Sequence, residues 1–355
     1  MGKTKILVLA ELYWPQGGGA ELATHLILKN LQKTGKFQIT VLTGVKNIEK
    51  ISGIEYIYTS YLKPRPKPLL WLYVEYMCRT KYFRKLIEEH DVVYIPRIAY
   101  PAIPHAKKMG KKVIVHLHNY QPITYHSIYS TIDKNLNNPV KFEILEHQSI
   151  TKAIAIGFLQ YLNKLTKYWL LKADKIICVS KKQRNIIVKH LPELASKIEI
   201  VPNPLPEVPP IEKEEANPPV VLYLGGDSYI KGFHRVLDLA KKLAENGSKL
   251  KIIFVGKYSE ESKKILTELS SKYENIEFEG YVPHDKIWKL YSISKAVLVP
   301  LITEEPAPYT IIEAVQTKTA IITRRLSKAS EVFIYQSDKA CVESIVNVIS
   351  GIMRG

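Results

Sequence analysis

The sequence predicts an α/β protein of two doubly wound domains, each a parallel sheet with helices on both faces. Three observations predict it. Short apolar runs of strand length alternate with helical stretches along the chain. A proline-rich interval interrupts the alternation, which then restarts. At 355 residues the chain is long for one core, so two domains are the default.

Lys5-Ile-Leu-Val-Leu-Ala10 opens the series as an apolar run of buried-strand length. A glycine-rich turn, Pro15 to Glu21, leads into Leu22–Leu31, whose apolar residues fall at helical spacing. Gln38–Thr43, Val92–Ile95, Lys112–His118 and Lys175–Ser180 read as further strands, the last preceded by a helical stretch from Lys164 to Lys172. Near-continuous apolar strands of this kind suit a parallel sheet covered on both faces. Seven prolines then fall between Pro202 and Pro219, and no regular element survives that density of missing N–H groups. The expected organisation is residues 1–203, a linker over 204–217, and residues 218–355. The second series runs through Val220–Leu224, Lys251–Val255, Ile276–Phe278, Ala296–Pro300 and Ala320–Thr323.

Composition excludes several classes. With 46% hydrophobic and 24% charged residues, this is a globular chain rather than a disordered one. Cys78, Cys178 and Cys341 lie far apart without metal-ligand spacing, which predicts a reducing compartment and no disulfide framework. The N-terminus runs straight into a strand with no signal-peptide pattern. Ala153–Leu159, among the longest apolar stretches, is too short to span a bilayer. The expectation is a cytoplasmic protein. Its net charge of +17 is uneven: residues 1–205 hold 31 Lys+Arg against 14 Asp+Glu, and the rest hold 20 against 20. A basic half joined to a neutral half implies a polyanionic partner for the first half, against the alternative of a solvated lysine-rich surface.

Two blocks carry chemistry. Glu305 and Glu313 bracket a short segment that opens an apolar helical run, and a carboxylate near a core needs polar partners. Upstream, Lys231-Gly232 follows the Val220 strand and a Gly225-Gly226 turn. A cation for phosphate and acceptors for hydroxyls together describe a nucleotide-sugar site. His116 and His118 share one face of a strand end, with too few companions for zinc. His116 reads as structural. Gly17-Gly18-Gly19 lets the backbone approach a ligand beside a helix N-terminus, yet it lacks the spacing and distal acid of a dinucleotide fingerprint.

Tyr13–Glu21, Ile177-Cys-Val-Ser180, Val201-Pro-Asn-Pro204, Lys231-Gly232 and Glu305…Glu313 occur in the order of the motifs of the retaining GT-B glycosyltransferases of family 4, which the chain resembles over nearly its whole length. The resemblance implies two Rossmann-like domains, an N-terminal one for the acceptor and a C-terminal one for the donor. It implies catalytic roles for His118, Glu305 and Lys231: His118 and Glu305 beside the transferred sugar, Lys231 on the diphosphate. Donor contacts are implied at Gly18, Gly19, Gly225, Gly226, Val282, Tyr309, Thr310, Ile311 and Glu313, the last on the ribose diol. Glu304 reads as an exposed acidic neighbour. The implied reaction is metal-independent transfer of a hexose from a UDP- or GDP-sugar, with no cofactor, to a glycan or lipid-linked acceptor. Two departures stand out: Gly226 replaces an arginine, and Pro308 replaces a glycine and removes one amide donor.

Two other readings compete. One is a weakly active nucleotide-sugar-binding protein, motivated by those departures. The other is a basic membrane- or nucleic-acid-binding module, which leaves the two carboxylates unexplained and makes nucleic acid the weaker partner. The segment Lys63–Lys85 interleaves cations with Trp71, Tyr73, Tyr76, Tyr82 and Phe83, as expected of a peripheral contact with an anionic membrane.

Overall fold

The computed structural model describes residues 2–323 and 338–354. Two parallel sheets form. The first contains β1 (Thr4–Ala10), β2 (Phe37–Thr43), β3 (Glu55–Tyr58), β4 (Val92–Ile95), β5 (Lys112–Leu117), β6 (Lys175–Cys178) and β7 (Ile198–Ile200), in the order β3-β2-β1-β4-β5-β6-β7. The second contains β8 (Val220–Tyr223), β9 (Lys251–Val255), β10 (Ile276–Gly280), β11 (Ser294–Val299) and β12 (Ala320–Thr323), in the order β10-β9-β8-β11-β12. All ten expected strands are present within a residue or two of their ends. β3 and β7 are additions; only four and three residues long, they carry too little apolar pattern to be read alone.

The sheets are apolar because both faces are covered. Ile6, Val8 and Ala10 of β1 pack with Ile39 and Val41 of β2 and with Ile27, Leu28 and Leu31 of the helix Gly19–Lys33. In the second sheet, Val221, Tyr223, Ile252 and Phe254 meet Phe233, Val236 and Ala240 of the helix Phe233–Glu245. Leu222, Ile253 and Val297 cover the opposite side with Trp288 and Tyr291.

The chain divides into two compact units, but not at the single expected boundary. The first unit takes the chain up to Ile128, Ala155–Leu205 and the C-terminal helix Asp338–Arg354; the second takes Tyr129–Ile154 and the chain from Pro206 through β12. The assignment of 218–355 to one domain is therefore corrected. Ile345, Ile349 and Ile352 recur at helical spacing and complete the core around Ile27, Leu28 and Leu31. Tyr129–Ile154 leaves the first half of the sequence because its polar residues hold loops of the second unit. The proline-rich interval contains no helix and no strand, as expected.

Of the Lys63–Lys85 aromatics, Trp71 and Phe83 belong to the core, while Tyr73, Tyr76 and Tyr82 are exposed. Among the described residues no helix is long and apolar enough to cross a membrane.

Candidate active site

In the second unit the strand order reverses direction between β8 and β11, and ligands of open parallel sheets bind outside the carboxyl ends of strands at such a switch point. The loops leaving these two strands carry Lys231 and Glu305. They are joined: the Ile302 amide donates to the Ile230 carbonyl at 2.9 Å. Gly232 lies at φ +80, and a Cβ there would come 2.5 Å from the Pro300 carbonyl oxygen, so glycine is required for the loops to touch. Gly226 lies at φ +62 with the Lys257 carbonyl oxygen 2.5 Å from its would-be Cβ, a physical reason for the missing arginine. Gly225 is as tight, its would-be Cβ 2.1 Å from the Tyr223 hydroxyl.

The segment Tyr129–Ile154 braces both loops. Glu146, on the helix Pro139–His147, accepts from the Ser228 hydroxyl at 2.6 Å and the Ile230 amide at 2.9 Å. Ser130 donates to the Ile302 carbonyl at 2.7 Å, and the Glu304 amide donates to the Tyr129 carbonyl at 2.8 Å. Glu304 is buried rather than exposed, its carboxylate accepting from the Thr131 hydroxyl, which corrects the sequence reading. Glu305 and Lys231 are half-buried, and among the described residues the Lys231 ammonium makes no ion pair. Glu146 was missed because nothing local to its helix marks a partner far along the chain.

Glu313, in the helix Tyr309–Gln316, is 4% exposed and already has protein partners. His284 Nε2 lies 2.8 Å from Oε1, and the Tyr291 hydroxyl donates to Oε2 at 3.1 Å. Burial and the Glu313 charge push the Tyr291 phenol well above its usual range, so it stays a neutral donor. A carboxylate has about four lone-pair sites, so capacity remains for a diol. His284 and Tyr291 left no sequence signal, since both sit outside the two motif blocks. Pro308 caps the helix, and its carbonyl accepts the Ile311 amide at 3.1 Å. Ile311 is thus a poorer amide donor to a ligand than expected, which leaves Tyr309 and Thr310. Val282 packs half-buried against the cluster around Trp288.

In the first unit a cavity of about 200 Å³ opens at the carboxyl ends of β1, β4 and β5, again at the strand-order reversal. Gly19, Glu21, Arg97, Tyr100, His116 and His118 are among its lining residues. Gly17, at φ +114, gives the loop its sharp turn into the helix. The Gly18 amide donates to Glu21 Oε2 at 2.7 Å, so this N–H is engaged by the protein rather than left for an anion. Arg97 Nε donates to Glu11 Oε1 at 2.9 Å, and its guanidinium also pairs with Glu21. Both carboxylates are 3% exposed, and one guanidinium serves them both. Arg97 was missed, although an arginine two residues past the end of the β4 run was a visible signal.

His116 Nδ1 lies 2.6 Å from the Tyr94 hydroxyl, the structural contact expected of it. The His118 ring stacks on it, and neither Nε2 has a hydrogen-bond partner among the described residues. Burial, then the Arg97 charge, push His118 down to about 3, so it is neutral at neutral pH. Gln183, on the helix capped by Ser180, donates from Nε2 to the Leu117 and Asn119 carbonyls, each at 3.0 Å, and thereby fixes the backbone around His118. Of the expected site residues, Gly18, Gly19 and His118 belong to the first unit; Gly225, Gly226, Lys231, Val282, Glu305, Tyr309, Thr310, Ile311 and Glu313 belong to the second.

Residues 17–207 match the model of the family described as Glycosyltransferase Family 4, and residues 206–348 match Glycosyl transferases group 1. Among solved structures, sucrose-phosphate synthase from Thermosynechococcus elongatus is similar at a TM-score of 0.65 and 14% identity, with 98% of this chain and 90% of that one covered. A glycosyltransferase from Rickettsia africae aligns at 0.61 and 18%, covering 99% and 89%. HepE from Anabaena, in complex with UDP and glucose, aligns at 0.59 and 15%, covering 99% and 91%. No curated protein matches the sequence significantly.

Proposed function

The chain belongs to the group 1, family 4 glycosyltransferases of GT-B fold, and from that premise we propose that it moves a hexose, with retention at the anomeric carbon, from a UDP- or GDP-linked sugar to a hydroxyl of a glycan or lipid-linked acceptor. One observation carries the donor half of this reading. Lys231 and the Glu305–Glu313 segment emerge from the two strands that flank the switch point, on loops that hydrogen-bond to each other. A cation and a buried carboxylate are thus brought to one sheet edge, the first suited to a diphosphate and the second to a ribose diol.

In the proposed reaction Lys231 and the amides of Tyr309 and Thr310 stabilise the departing diphosphate. His118 and Glu305 contact the transferred ring. The acceptor oxygen bonds to the anomeric carbon on the face the diphosphate leaves, and its proton passes to the departing phosphate oxygen. No metal is invoked.

Thermal shifts across UDP- and GDP-sugars, followed by proton NMR of the product anomer, test the proposal. A ligand at a hundred times its dissociation constant adds about 2.7 kcal/mol. A panel in which no nucleotide sugar stabilises the protein sinks the donor reading. An inverted product sinks retention. Stabilisation without transfer or donor hydrolysis instead favours the weakly active binder that Gly226 and Pro308 suggest.

A further inference from the structure

One acid-free stretch of the basic half lies outside both sites. Residues 147–173 contain no Asp or Glu and carry Lys152, Lys164, Lys167 and Lys172. In the first unit this stretch comprises the end of the helix Ile150–Leu159, a 3₁₀ turn Gln160–Leu162 and the helix Asn163–Leu170. Phe158, Tyr161, Leu165 and Tyr168 recur at intervals of three, four and three, which places them along one face. That face points to water: the four are 77%, 67%, 41% and 52% exposed. The other face is the anchored one, with Thr166, Trp169 and Leu170 buried and Trp169 packed edge-on to Trp71 at 4.9 Å. An amphipathic helix normally turns its large apolar residues inward; here a second apolar row faces out.

Lysines border this row. Lys172 lies 4.3 Å above the Tyr168 ring and donates to its hydroxyl at 2.6 Å, so the pair presents a cation on an aromatic stem. Lys164 is exposed, and Lys167 pairs with Glu193. We propose that the face carrying Phe158, Tyr161, Leu165 and Tyr168 seats the protein on an anionic lipid surface, its apolar groups entering the headgroup region and its lysines meeting lipid phosphates. Charge selects this occupant. A second copy would bring the exposed Lys164 and Lys172 against their own kind, which like charges oppose, whereas an anionic leaflet complements them. The surface differs from the Lys63–Lys85 segment suggested by sequence, where Trp71 and Phe83 are core and the Lys67 ammonium is engaged by Gln121 and the Tyr125 carbonyl.

Co-sedimentation of the full chain with phosphatidylcholine vesicles, with and without phosphatidylglycerol, at low and high salt, tests this without donor or acceptor. Its outcome is therefore separate from that of the transfer reaction. Binding is expected only with phosphatidylglycerol and should weaken with salt. The double variant Phe158→Asp, Tyr161→Asp should lose at least about tenfold in vesicle partition, since two exposed rings no longer leave water. Its thermal midpoint should be unchanged, because neither side chain is buried. Tyr76→Asp with Tyr82→Asp is the control, and a much smaller loss is expected. Absent binding of the parent chain overturns the proposal, as does undiminished binding of the double variant or an equal loss in the control. A dimer that dissociates in the double variant would assign the face to a second copy and overturn it too.

Discussion

The rings of His116 and His118 stack with centroids 4.3 Å apart and planes 26° from parallel. Two charged imidazoles could not share that geometry. Burial and the His118 ring hold His116 well below its ordinary pKa, while burial and Arg97 hold His118 near 3. The pair is thus kept neutral, able to present unprotonated nitrogen or N–H to a hydroxyl without adding charge to the cavity.

A pH dependence of stability follows. The unfolded chain takes up protons near pH 6.5 and the folded chain does not. Stability is therefore fully present above about pH 6.5 and declines as the pH falls toward the folded values. The slope is at most about 1.4 kcal/mol per pH unit for each ring. Urea midpoints at neutral and mildly acidic pH, on the parent and on His118→Gln, measure it. The variant should show a flatter dependence; an unchanged slope would remove His118 from the account.

Glu313→Ala should weaken nucleoside diphosphate affinity by roughly 1.5–3 kcal/mol, the worth of a hydrogen bond to a charged group. Because Tyr291 and His284 both lean on this carboxylate, the alanine variant should also lose stability, by about 1–3 kcal/mol for the buried hydroxyl left without its acceptor. Glu313→Gln keeps an acceptor for Tyr291 and should restore most of the stability but not the affinity. Calorimetric titration beside thermal denaturation separates the two losses, and equal affinity in all three proteins would rule out the ribose role.

The fold was legible because parallel strands buried on both faces announce themselves as apolar runs, as Lys5–Ala10 and Val92–Ile95 do. Membership of the two units was not. Glu146 and Ile349 sit in ordinary helical sequence, and only the contacts made far along the chain place each of them. The site was half legible. Lys231 and Glu313 stand out as charges beside glycine or apolar runs. The residues that hold them, His284, Tyr291 and Glu146, act through hydrogen bonds between distant segments, which no local spacing records.

Lys231→Ala should lower kcat by about a hundredfold or more while changing stability by less than about 0.5 kcal/mol, since a half-buried lysine without an ion-pair partner supports little of the fold. Gly226→Arg should not rescue it. The backbone at φ +62 and the nearby Lys257 carbonyl oppose any side chain, and a cost of about 1–3 kcal/mol is expected. Single-turnover assays with melting curves decide both, and a parental rate in Lys231→Ala would assign the diphosphate to another cation.

Arg97 is the group on which the first unit's cavity depends. It meets Glu11 and Glu21, two carboxylates each 3% exposed, and no second cation is recorded on either among the described residues. Removing one partner of a buried pair leaves charge without compensation, which typically costs 3–5 kcal/mol. Arg97→Met should incur a loss of about that size, because methionine fills the volume but supplies no charge. Arg97→Lys should recover only part of it, as one ammonium cannot reproduce the fork that reaches two acids at once. The decisive arm is the triple variant Arg97→Met, Glu11→Gln, Glu21→Gln, in which no buried charge remains. If the cost is uncompensated charge, this protein should be more stable than Arg97→Met alone, as read from urea midpoints. If it is no more stable, Arg97 contributes by packing and the electrostatic account of the cavity fails.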